Sequence, residues 1–126
     1  MLSLITSTTK KMLSTTTLNN NTNADTHTAT GAFYHYGNSM VEYPGGSLLA
    51  VKKVEDPRLL LNGENYVIET DEYTITRKIY DDGGSILAYS TNKETLPDGQ
   101  PVPPTRIPKD AIRHLYLVMG CISRRI

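Results

Sequence analysis

Between Ser47 and Ser90 the chain reads as a series of strand-like runs separated by very short turn signals, and this spacing limits the possible folds more than any other feature. Ser47 to Val54 is an apolar run that stops at Glu55-Asp56-Pro57. Asn62-Gly63 is a strong turn dipeptide. Asn65 to Thr70 alternates in character, Thr70-Asp71-Glu72 turns the chain, and Tyr73 to Tyr80 returns. Asp81-Asp82-Gly83-Gly84 then turns it again into Ser85 to Ser90. Connections this short leave no room for the crossover helix that a parallel sheet needs. The expected fold is therefore mostly β, a hairpin-rich sheet or partial barrel.

The flanks are less regular. Phe33 to Tyr36 is a short aromatic run suited to an edge strand. Thr91 to Pro108 is proline-rich and polar and reads as a long loop. Ile107 to Ile112 suggests one short helical turn with Pro108 near its start. The run His114 to Ile122 is apolar on both faces, with Leu115, Leu117 and Met119 on one and Tyr116, Val118 and Ile122 on the other. Such a strand must be covered on both sides, and a second subunit is one candidate cover. Residues 1–30 are rich in Thr, Ser and Asn and lack periodicity. They bury too little apolar surface to offset their ordering entropy and are expected to be disordered. Residues 31–126 form the expected folded domain.

The chain has 13 basic and 13 acidic residues, so no global field draws it to nucleic acid or anionic lipid. Cys121 is the single cysteine. It permits no disulfide within the monomer, which suits a reducing compartment, and a buried structural thiol is expected. No apolar run reaches the length of a membrane span, and a soluble, cytoplasmic protein is expected. His27, His35 and His114 lack metal-ligand spacing, so no metal or other cofactor is expected. Asp81-Asp82-Gly83-Gly84 lacks the ligand series of a calcium loop. Gly45-Gly46 precedes a strand rather than a helix, so it is not a phosphate loop.

The chemistry-bearing elements are a serine placed at a sharp bend, in Gly37-Asn38-Ser39-Met40, and two cations in tandem on a later strand, Thr76-Arg77-Lys78-Ile79. With Gly46-Ser47-Leu48-Leu49-Ala50-Val51, the hairpin Tyr66 to Ile79, Ser90-Thr91-Asn92, Pro97-Asp98 and Ile107-Pro108, their order resembles the C-terminal domains of LexA and phage repressors. The resemblance covers about residues 33–126. It implies a fold like that of LexA and signal peptidase, and a serine–lysine peptidase that usually cuts its own linker, separating a DNA-binding domain from a dimerising one.

Carried onto this chain, the resemblance makes Ser39 the nucleophile, Met40 the residue packed behind it, and Asn38, Met40 and Asn92 the substrate groove. Anchoring on Thr76 and Ile79 places Arg77 where the family has its basic lysine. A guanidinium keeps its proton and cannot act as a general base. Lys78 can serve as that base only through a β-bulge or a one-residue register shift, because neighbouring strand residues face opposite ways. Tyr73, Ile75, Arg77 and Ile79 share the more apolar face, which favours Arg77 as the inward residue. Thr30-Gly31 has the small-residue-then-glycine character of the family's scissile bond but lies close to Ser39. Residues 1–30 hold no helix-turn-helix pattern, so direct DNA binding by this chain is not expected.

Three functions follow as expectations. One is a regulatory, peptidase-like domain with an altered base, acting in transcriptional regulation through dimerisation. Another is an active Ser39–Lys78 peptidase cutting itself or another chain. The third is a small protein that pairs with a full-length repressor. The pairing surface, for a homodimer or such a heterodimer, is expected on the last strand at Leu115, Leu117 and Met119.

Overall fold

The computed structural model describes residues 9–11 and 30–122. It is mostly β, with eight strands: β1 Thr9–Lys11, β2 Gly31–His35, β3 Ser47–Lys53, β4 Glu64–Thr70, β5 Thr74–Asp82, β6 Ser85–Tyr89, β7 Thr105–Pro108 and β8 Ile112–Ile122. They form one open antiparallel sheet in the order β1-β2-β3-β8-β4-β5-β6-β7. The only helical pieces among the described residues are 3-10 turns at Pro57–Leu59 and Lys109–Ala111. No helix there is long and apolar enough to cross a membrane.

The tight turns act as the sequence implies. Gly63 has φ +85° and Gly83 has φ +72°, a conformation that side chains disfavour. Gly63 leads into β4, where its N–H donates to the Ile79 carbonyl at 2.8 Å, and Gly83 turns β5 into β6. The β4–β5 and β5–β6 ladders run without a slip from Glu64↔Ile79 to Glu69↔Thr74 and from Lys78↔Tyr89 to Asp82↔Ser85.

Two apolar clusters lie on opposite faces of the sheet. Tyr66, Ile68, Ile75, Ile79, Ile86, Ala88, Ile107 and Leu115 form the first. Phe33, Met40, Tyr43, Leu49, Val51, Val67 and Tyr116 form the second. β4 serves both, because alternate residues of a strand point to alternate faces. The buried Tyr66 hydroxyl accepts a bond from the Leu61 N–H at 2.8 Å, so its polar end is satisfied. The sheet curls enough that the β1 backbone passes close to β5.

Four elements differ from the sequence reading. The aromatic run is not an edge: β2 is flanked by β3 and by β1, a strand within the segment expected to be disordered. The proline-rich stretch is not loop throughout, since Thr105–Pro108 pairs with β6. Pro108 ends that strand, where its missing N–H is tolerated. Cys121 is exposed rather than buried. β4 pairs with β8 only as far as Leu117, so, among the described residues, 120–122 pair with β3 alone.

The last difference concerns cover for β8. It is central, between β3 and β4, and the chain covers both its faces itself: Leu115 in the first cluster and Tyr116 in the second are buried. Leu115 is thus core and not surface, whereas Leu117 and Met119 are half-buried. Met119 lies where the β3–β8 register shifts between Ala50 and Val51. Truncation separates these positions: Leu115→Ala is expected to cost about 2–5 kcal/mol in urea denaturation, and Met119→Ala much less.

Candidate functional site

Ser39 sits in the β2–β3 connection, residues 36–46, as the bend in the sequence implies. Gly37, at φ +99°, makes the bend. Asn38, Ser39 and Met40 then run alongside the chain just beyond β6. The Ser39 carbonyl accepts bonds from the N–H groups of Thr91 (2.9 Å) and Asn92 (3.0 Å) and from the Ser90 hydroxyl (2.5 Å). Asn92 Nδ2 donates to the Asn38 carbonyl at 2.7 Å, which brings two of the expected groove residues together. Met40 is different. At 1% exposure it is a core residue of the second cluster and cannot line an open groove.

The cation that meets Ser39 is Arg77. Its Nη1 donates to Ser39 Oγ at 3.0 Å and to the Thr76 carbonyl at 2.8 Å. The β5–β6 ladder stops at Lys78↔Tyr89, so Arg77 is the first β5 residue beyond it, beside the opening that Ser39 fills. Burial lowers the pKa of Arg77, but a guanidinium still cannot give up its proton in a protein. Lys78 lies on the other face of β5. Its Nζ donates to the Gly63 carbonyl at 3.2 Å, across from Asn65. The bulge needed to bring Lys78 to Ser39 is not in either ladder of β5.

A polar network absent from the sequence reading supports the loop from the Lys78 side. Thr91 Oγ1 donates to Glu42 Oε1 at 2.5 Å and accepts from the Val41 N–H at 2.8 Å. Asn65 Nδ2 donates to Glu42 Oε2 and to the Tyr43 hydroxyl. Burial raises the pKa of Glu42, but hydrogen bonds from Thr91, its own backbone and Asn65 outweigh it, and Lys78 adds attraction, so the carboxyl stays below its usual range. No motif announces these residues, because they are brought together by the loop and not by spacing.

His35 is the other residue that the sequence undervalues. It is fully buried, packs edge-on against Tyr43 at 5.9 Å, and neither ring nitrogen has a hydrogen-bond partner. Burial, then the nearby positive charge of Arg77, lower its pKa, while Glu42 opposes them. A buried polar group without a partner costs free energy, and a charged imidazole there would cost more.

What the arrangement can do chemically is limited by Arg77. A serine nucleophile needs a neighbour that accepts the hydroxyl proton, and guanidinium offers donors only. The Ser39 oxygen is held as an acceptor. Among the described residues, no group of three His, Cys, Asp or Glu side chains is placed to hold a metal ion. No family model matches the chain, and no curated protein matches it.

Two measurements probe this geometry. Ser39→Ala leaves a half-buried guanidinium N–H without its acceptor and is expected to cost about 1–3 kcal/mol of stability in chemical denaturation. For His35, the unfolded chain takes up a proton near pH 6.5 and the folded protein only at lower pH. Between those values the unfolded state holds more protons, so stability falls as pH drops below about 6.5 until the folded pKa is passed. The slope reaches at most about 1.4 kcal/mol per pH unit for one proton. Denaturation curves between pH 6.5 and 5 are expected to show this loss, and His35→Leu to flatten it.

Proposed function

We propose that the chain is a regulatory domain of the LexA and phage-repressor type in which the serine nucleophile has lost its proton acceptor, and that it works by association rather than by cutting peptide bonds. The observation that carries this reading is the 3.0 Å bond from Arg77 Nη1 to Ser39 Oγ. A serine at a glycine bend, a hairpin strand whose cation meets it and an all-β sheet are the parts such a peptidase needs, and only the base is of the wrong kind. Lys78, engaged with Gly63 on the opposite face, is in no position to substitute. Association, with a second copy or with a full-length repressor, falls to the end of β8 beyond its pairing with β4, where Met119 is half-buried and Ile122 is 50% exposed.

The test is chemical integrity. Purified protein held for days at mildly alkaline pH is expected to keep its intact mass by mass spectrometry, and Ser39→Ala to behave identically. A fragment that forms in the parent and not in Ser39→Ala would overturn the reading in favour of an active Ser39–Lys78 peptidase. Arg77→Lys, which places an amine that can lose its proton at the hydroxyl, is the variant expected to gain cleavage.

A further inference from the structure

The proline-rich stretch between β6 and β7 takes no part in the chemistry at Ser39. Within it, Pro101-Val102-Pro103-Pro104 has a proline at each end of a four-residue frame. A proline ring fixes φ at about −65° and drives the residue before it out of the helical region. Every residue of this run is a proline or precedes one, so the run is set in a polyproline II conformation before any partner arrives. It is anchored on both sides, by the bridge of Pro101 with Thr95 and by the pairing of Thr105 with Ala88. Between the anchors Val102 is 47% exposed and Pro103 is exposed as well.

A groove of matching character opens on the Lys78 face of β5 and β6. Lys78 and Tyr80 share that face, Tyr89 lies opposite Lys78 in the ladder, and with Ser90, Thr91 and Lys93 they line about 530 Å³. The two tyrosine rings meet edge to face, 5.5 Å between centroids and 83° between planes, and are 40% and 37% exposed. Rings at right angles form a notch, and aromatic-lined grooves receive polyproline II segments because little ordering entropy remains to be lost. The charges are complementary too. Lys93 is exposed and pairs with no carboxylate among the described residues. Asp98, three residues ahead of Pro101, is exposed and pairs with no cation there, and its Oδ1 accepts the Gln100 N–H at 3.0 Å.

We infer that the Tyr80–Tyr89 groove receives the Pro101–Pro104 segment of a second copy of this chain, with that copy's Asp98 against Lys93. The chain carries both halves of the contact. The anchors at Thr95 and Thr105 keep the segment out of its own groove, which no residue from 96 to 104 lines. The halves nevertheless lie close together. The Val102 N–H donates to the Glu94 carbonyl at 3.3 Å, one residue beyond Lys93, and Ala88, the partner of Thr105, directly precedes Tyr89. Two copies about a two-fold axis therefore exchange segments reciprocally, which closes the assembly as a dimer. An acidic peptide without prolines lacks the preset backbone and loses more chain entropy on docking. The contact involves neither Ser39 nor the end of β8, and it stands whether or not that serine is catalytic.

The experiment uses the full chain in two arms. In the first, a blocked peptide with the sequence of residues 96–105 is titrated while NMR follows the Tyr80 and Tyr89 rings and the Lys93 amide. The controls are the same peptide with Ala at Pro101, Pro103 and Pro104, and a short single-stranded oligonucleotide. Saturable shifts are expected with the first peptide, binding about tenfold weaker or worse with the Ala peptide and in Tyr89→Ala, and no shifts with the oligonucleotide. Lys93→Glu, at an exposed position, is expected to weaken binding with the fold intact, so a collapse of Tyr89→Ala does not decide the matter. In the second arm, sedimentation velocity is expected to show that Lys93→Glu loses self-association and that adding Asp98→Lys on the same chain restores it. Ile122→Ser is expected to leave the peptide-induced shifts unchanged, which separates this contact from association through β8. Equal binding of the two peptides, shifts that bypass both tyrosines, undiminished binding in Lys93→Glu, or a preference for the oligonucleotide would overturn the inference. Peptide binding by a chain that stays monomeric at the same concentration would remove the second copy as occupant and overturn it too. Serine-dependent self-cleavage defeats the reading of Ser39 and leaves this contact untouched.

Discussion

Strand parity on β5 decides the chemistry available to this protein. The β4–β5 ladder runs without a slip through positions 77 and 78, and the β5–β6 ladder runs without one from Lys78 onward; in an unbroken strand neighbouring side chains cannot share a face. Given that parity, Arg77 and Lys78 are committed to different surroundings. One meets the serine in the bend and the other a carbonyl at the preceding turn. A single inserted residue would exchange the two. The identity of the group at the hydroxyl is therefore fixed by backbone hydrogen bonds several residues away, and not by anything local to Ser39.

The same region concentrates the less favourable features of the fold. His35 is buried with both nitrogens unmet, and Arg77 is half-buried without a counter-charge among the described residues. The positive guanidinium disfavours protonation of the buried imidazole. The second apolar cluster, with Phe33, Leu49, Val67 and Tyr116 packed beneath the loop, supplies the burial that holds such a site together. Sites where polar groups are left unmet tend to mark function, because elsewhere a sequence can replace them with apolar residues at no loss.

The all-β character was legible because it rests on local signals. Turn dipeptides at Asn62-Gly63 and Asp82 to Gly84 sit where the chain reverses, and the apolar alternation of residues 66–68 and 75–79 matches the faces they occupy. The inward position of Arg77 could also be read, since it follows from the period of two. What could not be read depends on distant partners. Thr9–Lys11 has no apolar pattern and becomes a strand only by pairing with β2. Thr105–Pro108 looks like loop because its prolines hide a pairing with β6. Cys121 has strand neighbours of buried type, yet its exposure depends on where β4 stops. Glu42, Asn65 and Thr91 come from three separate segments, and no spacing rule connects them.

The position of β8 has a consequence for how the protein is made. In the sheet it joins β3 to β4, so the half built from β2 and β3 and the half built from β4 to β7 have no ladder between them without it. Yet it is the last of the described strands to leave the ribosome. Until residues 112–122 emerge, the nascent chain can form only separate hairpins with open edges at β3 and β4, and such edges invite pairing with other chains. Registration of the two halves is then a late, long-range event of the kind that slows the folding of β proteins. Crowded synthesis, on polysomes or at high expression, is where this architecture is most exposed to misassembly.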